Sequence, residues 1–227
     1  MPRIFDNIEQ FLLPTLRNTL QISQRANFSV SYFNLRGWRE IDDLIEHFSG
    51  KEGACCRLLI GMQRLPKDQV RAALSITPEN TGIDNSIVIC FKKQIAQEFC
   101  EQLKLGVPSN DDEAGLRRLS RQIKSQKMVV KLFLTPPLHA KLYLIHRLDV
   151  NNPTIGFFGS SNLTLLGLQH QGELNIDVLD HDACNKLQKW FDDRWSDRWC
   201  IDISQELVSL IDESWAREKT VPPYHVF

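Results

Sequence analysis

Hydrophobic residues recur along the chain with two different periods, which predict two kinds of element. Apolar residues spaced three or four positions apart are typical of amphipathic helices, whereas alternating or short continuous apolar runs are typical of strands. Helices are predicted over residues 7–21, 37–48, 66–74, 86–105, 113–127, 182–199 and 204–215. Strands are predicted over residues 26–33, 56–60, 128–134, 140–145, 154–158 and 173–179. Because the two kinds alternate, the sequence predicts an α/β fold with a mixed sheet.

Size and composition are those of an ordinary folded domain. The chain has 227 residues, of which 42% are hydrophobic and 24% are charged, and its formal net charge is −1. This composition excludes wholesale disorder, because there is enough apolar surface to form a core. The near-zero charge means that a nucleic-acid partner must be met by a local basic patch. We expect one large domain over 1–180, followed by helices packed on it and a linker-like tail over 181–227.

Targeting features and cysteine spacing predict a cytoplasmic protein. The chain has no run of about 18 apolar residues that could span a membrane. Residues 1–13 lack the basic start and apolar centre of a signal peptide. The six cysteines form neither a CxxC pair nor a Cys/His cluster with zinc spacing. They are therefore expected to be free, buried thiols in a reducing compartment.

A histidine and a lysine lie two residues apart at the start of the predicted strand 140–145. Strand alternation would place the side chains of His139 and Lys141 on one face. Imidazole can attack phosphorus, and ammonium can neutralise the phosphate oxygens, so the pair suits a phosphate site. The alternative is a partly exposed polar strand face with no chemical role. The alternate residues on the other face are apolar: Leu138, Ala140, Leu142 and Leu144.

Two further polar segments follow this pair. In the first, Gly159 allows close backbone approach, and Ser160 and Asn162 offer hydroxyl and amide groups that can hold an oxyanion. A plain turn with Asn162 or Thr164 capping a helix is the alternative.

The second segment carries Glu173, Asn175 and Asp177 at alternating positions of a predicted strand. A carboxylate there could orient an imidazole. A half-solvated strand face is the favoured interpretation for Asn175 and Asp177.

The three segments together, HAKLYLI, GFFGSSNLT and GELNID, resemble the phospholipase D superfamily and are most similar to its nuclease branch. They are similar to the phospholipase-D-like modules of Swi/Snf-type helicases and some restriction enzymes. The N-terminal stretch SVSYFNLRGWREIDDLI also resembles the opening of those modules. The resemblance implies a mixed β-sheet flanked by helices on both faces, an α/β/α sandwich. It also implies phosphodiester cleavage without a metal or another cofactor. The site residues it implies are His139, Lys141, Ser160, Asn162 and Glu173.

One position departs from the phospholipase D pattern. That pattern places an aspartate five residues after the lysine, where this chain has His146. The departure argues against a lipid phosphodiesterase more than against a nuclease, because the branch that cuts DNA often lacks this aspartate. It leaves open which carboxylate supports His139, and our hypothesis is that Glu173 does.

The resemblance also predicts a homodimer. Family members use two histidines on one phosphodiester: one attacks phosphorus, and the other protonates the leaving oxygen. This chain has a single His-x-Lys segment, so it would provide half a site. We therefore expect two chains to pair about a two-fold axis, with His139 and Lys141 of each chain in one pocket.

Contacts with DNA are predicted on the helix 113–127. Arg117, Arg121 and Lys124 follow one another at helical spacing beside an apolar stripe. They could form a ridge that faces DNA. A solvated face whose charges match the helix dipole is the favoured alternative.

The leading functional hypothesis is a metal-independent endonuclease that acts on DNA. The proline-containing tail EKTVPPYHVF reads like a linker, so the chain could be a module of a longer helicase or restriction protein. A non-catalytic DNA-binding or dimerisation module with the same fold is the alternative from another class. A lipid phosphodiesterase is less favoured.

Overall fold

A computed structural model of the chain describes residues 2–51, 53–61, 85–103 and 109–214. The described strands are β1 (Ile4–Phe5), β2 (Ser23–Val30), β3 (Cys56–Gly61), β4 (Met128–Phe133), β5 (Leu142–Arg147), β6 (Thr154–Gly159), β7 (Asn175–Val178) and β8 (Cys200–Asp202). The described helices are α1 (Leu12–Gln21), α2 (Leu35–Arg39), α3 (Asp42–Ile45), α4 (Asn85–Leu103), α5 (Asn110–Lys124), α6 (His181–Trp195) and α7 (Ser204–Asp212), with a π-helical turn over Leu166–His170. The predicted helix 66–74 lies outside the described residues.

These strands form one mixed sheet in the order β1-β7-β6-β5-β2-β3-β4-β8. The pairs β2–β3 and β3–β4 are parallel, which requires crossover connections. Strand β5 pairs antiparallel with both β2 and β6, and β7 pairs antiparallel with β6. The predicted α/β class with a mixed sheet is confirmed.

Helices cover both faces of the sheet, but unequally. The larger core lies on one face, where Leu16 of α1, Ile95 of α4 and Leu116 of α5 pack with Phe28 and Tyr143 of the sheet. Among the described helices, α6 covers the opposite face, where Phe191 packs against the strand residues Leu59, Phe133, Leu142 and Leu144. The expected sandwich with helices on both faces is thus present. Within the described part of the chain, no helix is long and apolar enough to cross a membrane.

Two helices begin at positions that differ from those predicted by the apolar pattern, for reasons of local backbone structure. Helix α5 begins three residues earlier than predicted, because Ser109 and Asp112 form a capping box in which each side chain accepts from the other's backbone N–H. Helix α1 begins at Leu12 rather than at residue 7, because Asn7 has a φ of 55°. Pro14 therefore lies in the first helical turn, which tolerates proline, and not in the middle of a helix.

Several other boundaries predicted from the sequence are wrong. The predicted helix 37–48 is two short helices, α2 and α3. The predicted helix 182–199 ends at Trp195, and the unpredicted edge strand β8 follows it. Strand β1 was also not predicted, because two residues carry no readable period. Strand β5 begins at Leu142, so His139 and Lys141 precede it and strand alternation does not fix their orientation.

A buried polar network lies between α6 and the sheet. Asn27 donates hydrogen bonds to His146 Nε2, at 3.0 Å, and to Gln188, at 2.9 Å. Arg57 donates to Asn27 Oδ1, at 2.7 Å, and to Asp192, at 2.7 Å. Burial, together with the positive charges of nearby Arg25 and Arg57, lowers the pKa of His146 from 6.5 to about 4. His146 is therefore a neutral member of this network at neutral pH.

Acidification is expected to destabilise the fold through His146. The unfolded chain binds a proton on this residue below about pH 6.5, whereas the folded chain binds it only near pH 4. The stability present above pH 6.5 is therefore lost as the pH falls toward 4. The His146→Asn variant should show a flatter dependence, by up to about 3 kcal/mol over this window, in urea unfolding measured at several pH values. His181→Asn, which alters an exposed histidine, should keep the wild-type slope. Equal slopes for wild type and His146→Asn would contradict this assignment.

Candidate active site

The predicted site residues meet at one edge of the sheet. Strand β2 ends at this edge with Val30, and β6 ends there with Gly159. Strands β5 and β7 begin there, as the antiparallel registers Leu142↔Phe158 and Asn175↔Gly159 require. The chain segments that carry His139, Ser160 and Glu173 thus emerge side by side from neighbouring strands.

Lys141 is a buried cation in the centre of this edge. Its exposed fraction is 5%. Its Nζ donates to Ser31 Oγ at 3.1 Å and to the backbone oxygen of His139 at 3.0 Å. Burial lowers the pKa of Lys141, and the negative charge of Glu173 opposes that shift. The ammonium is thus held in place by hydrogen bonds and electrostatic attraction in a partly desolvated environment.

His139 lies against this ammonium with its side chain exposed to solvent. The Nζ atom of Lys141 is 2.9 Å from Nδ1 and 3.3 Å from Nε2 of the imidazole. The two residues therefore share one site, although they do not lie on a regular strand. An accessible imidazole beside a fixed positive charge is a suitable arrangement for a nucleophile that attacks an anionic phosphoester.

The turn after β6 is shaped by close backbone contact. A Cβ atom on Gly159 would lie 2.2 Å from the backbone oxygen of Leu174, so only glycine fits. Asn175 fixes the next residue: its Oδ1 accepts from the backbone N–H of Ser161 at 3.1 Å, and its Nδ2 donates to Ser161 Oγ at 2.8 Å. The close approach predicted at Gly159 is present, and β7 holds the turn from the side.

Asn162 joins this turn to the end of β2. Its Oδ1 accepts from the backbone N–H of Ser31 at 3.1 Å and from that of Tyr32 at 2.9 Å. Ser31 also accepts from Lys141, so Asn162 and Lys141 are linked through one residue. This use of Oδ1 leaves the amide nitrogen of Asn162 available as a donor to a ligand.

Glu173 is bonded to Ser160. The Ser160 hydroxyl donates to Oε2 of Glu173 and accepts from the backbone N–H of Leu174 at 2.9 Å. The other connection of Glu173 to the site is electrostatic, because its negative charge acts on the Lys141 ammonium. Its hydrogen bond to Ser160 differs from the direct support of His139 that our sequence hypothesis gave it.

Three residues at or near the site were missed or misjudged from the sequence. Ser31 was not singled out, yet its hydroxyl and backbone hold both Lys141 and Asn162. Asn175 and Asp177 were interpreted as half-solvated, but their exposed fractions are 2% and 1%. Asp177 accepts from the backbone N–H and guanidinium of Arg3. The alternating polar pattern of β7 was visible, but the unpredicted strand β1 that covers it was not.

The basic residues of α5 are mostly engaged in ion pairs. Arg117 pairs with Glu113, and Lys124 pairs with Asp212 at 2.9 Å. Arg121 is exposed. Because α5 leads into β4, which starts at the edge of the sheet far from Lys141, Lys124 lies away from the candidate site. A DNA-facing role for the three residues remains a prediction.

The groups at this edge do not form a metal-binding cluster among the described residues. Among the described residues, no group of three or more histidine, cysteine, aspartate or glutamate side chains is placed to hold a metal ion. The groups that meet at the edge are instead an imidazole, an ammonium, a hydroxyl, an amide and a carboxylate. This set can bind an anion, attack phosphorus and move protons.

Solved structures share the fold of this chain at low sequence identity. The phospholipase D family member Nuc from Salmonella typhimurium is 11% identical, with a TM-score of 0.50 over 89% of this chain and 97% of that chain. NucT from Helicobacter pylori is 11% identical, with a TM-score of 0.48 over 89% of this chain and 98% of that chain. A phosphatidylserine synthase from Haemophilus influenzae is 15% identical, with a TM-score of 0.50 over 93% of this chain and 44% of that chain.

Sequence comparison gives the family. The chain matches no curated protein sequence. Residues 24–195 match the family described as cardiolipin synthase, PLD-like domain. This match extends from the start of β2 to the end of α6 and includes every residue of the candidate site. The chain therefore belongs to the phospholipase D-like domain family, as the resemblance of its three motif segments predicted.

Proposed function

We propose that the chain is a metal-independent phosphodiesterase that cuts DNA through a phosphohistidine intermediate. The observation that carries this proposal is the exposed imidazole of His139 held against the buried ammonium of Lys141. The imidazole is accessible to a substrate, and the ammonium can stabilise charge on the phosphate oxygens. The choice of DNA rests on the likeness of the motif set to the nuclease branch. The phosphatidylserine synthase has the same fold, so the fold by itself does not choose the substrate.

In the proposed reaction, a ring nitrogen of His139 attacks phosphorus and forms a P–N bond as the bond to the leaving oxygen breaks. A second histidine donates the proton that the leaving oxygen requires. It then takes a proton from water, whose oxygen attacks phosphorus and releases His139. Lys141, the Ser160 hydroxyl and the Asn162 amide would hold the non-bridging oxygens. Glu173 would act through Ser160, to which it is hydrogen-bonded.

We propose that the second histidine comes from another copy of the chain. An apolar patch formed by Ile4, Phe158, Leu174 and Ile176 lies beside the site and supports this arrangement. Ile4, Phe158 and Leu174 are 57%, 50% and 65% exposed. Ile176 pairs with both Ile4 and Phe158 across the strands, so these three share one face. A two-fold partner that covers the apolar patch would bring its own His139 close to the first.

We also propose that the chain works as part of a larger helicase or restriction protein. This proposal rests on the sequence resemblance to modules of such proteins. The tail on which the linker interpretation depends begins after the described residues. The intact mass of the natural polypeptide tests it.

Removal of His139 should abolish DNA cleavage in the absence of metal. With plasmid and single-stranded DNA in excess EDTA, the wild type is expected to cut. His139→Ala should lose activity by about a thousand-fold or more, because the attacking group is gone. His181→Ala, which alters an exposed histidine that follows β7 at the other end of the sheet, should retain activity.

The same experiment separates the alternatives. Cutting by His139→Ala would contradict the phosphohistidine mechanism. Retained DNA binding with no cleavage by the wild type would favour a non-catalytic binding module. Hydrolysis of a phosphatidyl lipid by a wild type that leaves DNA intact would favour a lipid phosphodiesterase.

A site shared by two chains should make the His139→Ala variant inhibitory. When excess His139→Ala is mixed with wild type and the chains are allowed to exchange, most wild-type chains pair with a partner that lacks its histidine. The cleavage rate per wild-type chain should therefore fall steadily as the variant is added, measured in the same plasmid assay. An unchanged rate, with exchange verified by differently tagged chains, would exclude the shared site.

A matched variant tests the surface used for pairing. Addition of Phe158→Glu to His139→Ala should remove the inhibition, because a charge in the apolar patch prevents pairing. Leu148→Glu alters a residue that is 81% exposed outside the patch and should leave the inhibition intact. His170 is an exposed histidine of the same chain. Complete loss of activity in His170→Ala would indicate that the second histidine is His170 and that one chain holds both.

Reversal of charge on α5 should weaken DNA binding if this helix faces DNA. Replacing both Arg117 and Arg121 with glutamate is expected to reduce affinity and to lower the slope of log affinity against log salt by about two. Lys186→Glu with Lys189→Glu makes the same charge change on the exposed face of α6 and serves as the control. Equal effects of the two pairs would indicate a general charge effect and no specific ridge.

A further inference from the structure

A second polar concavity lies at the end of the sheet opposite the candidate active site. It is a groove of about 680 Å³ where β2 begins and β5 ends. Its lining includes Arg25, Ser49, Lys51, His146, Arg147 and Thr154. His146 is the fifth residue of β5, whereas Lys141 precedes the first residue of that strand. The groove and Lys141 are therefore about 17 Å apart along the direction of β5.

The described lining of this groove contains three cations and no carboxylate, although the whole chain has a net charge of −1. Arg147 is partly compensated, because it donates to Asp149 at 3.0 Å and to the backbone oxygen of Asn152 at 2.8 Å. Lys51 is exposed. Arg25 is half-buried and forms no ion pair with a described residue.

Arg25 lacks a good acceptor among the described residues. Its Nη2 lies 3.3 Å from both ring nitrogens of His146. Those nitrogens already have partners, Thr154 Oγ1 at 3.2 Å and Asn27 Nδ2 at 3.0 Å. The nearby carboxylate of Asp192 is bonded to Arg57. Burial and repulsion from Arg57 lower the pKa of Arg25. A half-buried guanidinium normally has an anionic partner, and among the described residues Arg25 forms no ion pair.

The Arg25 guanidinium contacts His146, the position at which the sequence departs from the phospholipase D pattern that it resembles. An aspartate at position 146 would place a carboxylate against Arg25 and near Arg57, whose positive charges both act on this position. His146 is neutral there and cannot balance either charge. With a neutral imidazole at position 146, the described lining of the groove carries cations and no carboxylate.

We propose that this groove binds a phosphate group, with the Arg25 guanidinium as its principal ligand. Lys51 and the hydroxyls of Ser49 and Thr154 line the same space and can donate further hydrogen bonds. The site is separate from the candidate active site and does not depend on the proposed nuclease activity. The phosphate belongs either to a small anion or to a DNA backbone, and the two sources are distinguished experimentally.

His146 provides a readout inside the groove. Its ring proton signals are followed by NMR against pH, in the His139→Ala chain, with sodium chloride or inorganic phosphate at equal ionic strength. Phosphate bound at Arg25 neutralises the charges that disfavour the imidazolium, so the pKa of His146 should rise from about 4 only in phosphate. A duplex DNA arm identifies the source: a rise with DNA but not with phosphate assigns the group to the backbone. No rise in either arm overturns the proposal.

Two variants test the role of Arg25 directly, with phosphate or DNA affinity measured by calorimetry. Arg25→Gln should weaken binding at the groove by about ten-fold or more, because a charge-assisted hydrogen bond is lost. His146→Asp should also prevent binding, since an internal carboxylate then occupies Arg25. Lys189→Gln removes one charge from the exposed face of α6 and should leave affinity unchanged. Unaltered affinity in folded Arg25→Gln would refute the site.

Discussion

The buried ammonium of Lys141 is the interaction on which the rest of the candidate site depends. A desolvated charge is costly unless its donors are satisfied, and this one bonds to Ser31, to the backbone of His139 and to the His139 ring. Ser31 follows β2 and Lys141 precedes β5, so these contacts exist only because β2 and β5 are neighbours in the sheet. The strand order thus has a direct chemical consequence: it brings a hydroxyl from one strand to a cation on the next.

The same antiparallel pair creates a second electrostatic environment at its other end. There, His146 of β5 lies between Arg25 and the network of Asn27 on β2. Among the described residues, the Lys141 cation at one end of the pair has its hydrogen-bond partners, whereas Arg25 at the other end forms no ion pair. The difference arises from position along the pair, because Lys141 precedes the first residue of β5 and His146 lies near its last. The identity of residue 146 therefore affects the charge balance at the end of β5 that is far from the candidate site.

Much of the fold followed from periodicity, and the errors have physical causes. Strands β3 to β7 were predicted within about two residues at either end, because buried strands carry continuous or alternating apolar runs. Edge strands β1 and β8 are two and three residues long and have no such signal. The start of α5 is set by the Ser109 cap, a hydrogen bond that an apolar pattern does not reveal. Short elements and caps depend on contacts, whereas long buried elements depend on composition.

The candidate site shows the same division. His139, Lys141, Ser160 and Asn162 were identified because they form a compact motif, and the structure brings the segments that carry them to one edge. The contribution of Ser31 could not be inferred, because it arises from strand pairing across more than 100 residues. The orientation of Glu173 toward Ser160 likewise depends on the turn at Gly159. Motifs identify reactive groups, whereas the pairing of distant strands determines what those groups contact.

The positions of the other histidines in the described part of the chain favour the pairing of two chains in the proposed mechanism. An alkoxide leaving group needs a proton donor, and the phosphohistidine needs a base for water. His47 is bonded to the backbone of Ser23 at the far end of β2, and His146 is enclosed beside Arg25 at the same end. His181 follows β7 at that end too. His170 is exposed, and the described hydrogen bonds do not join it to the site. The partner that best completes the proposed chemistry is therefore a second copy seated on the apolar patch, which presents the same imidazole from the opposite side.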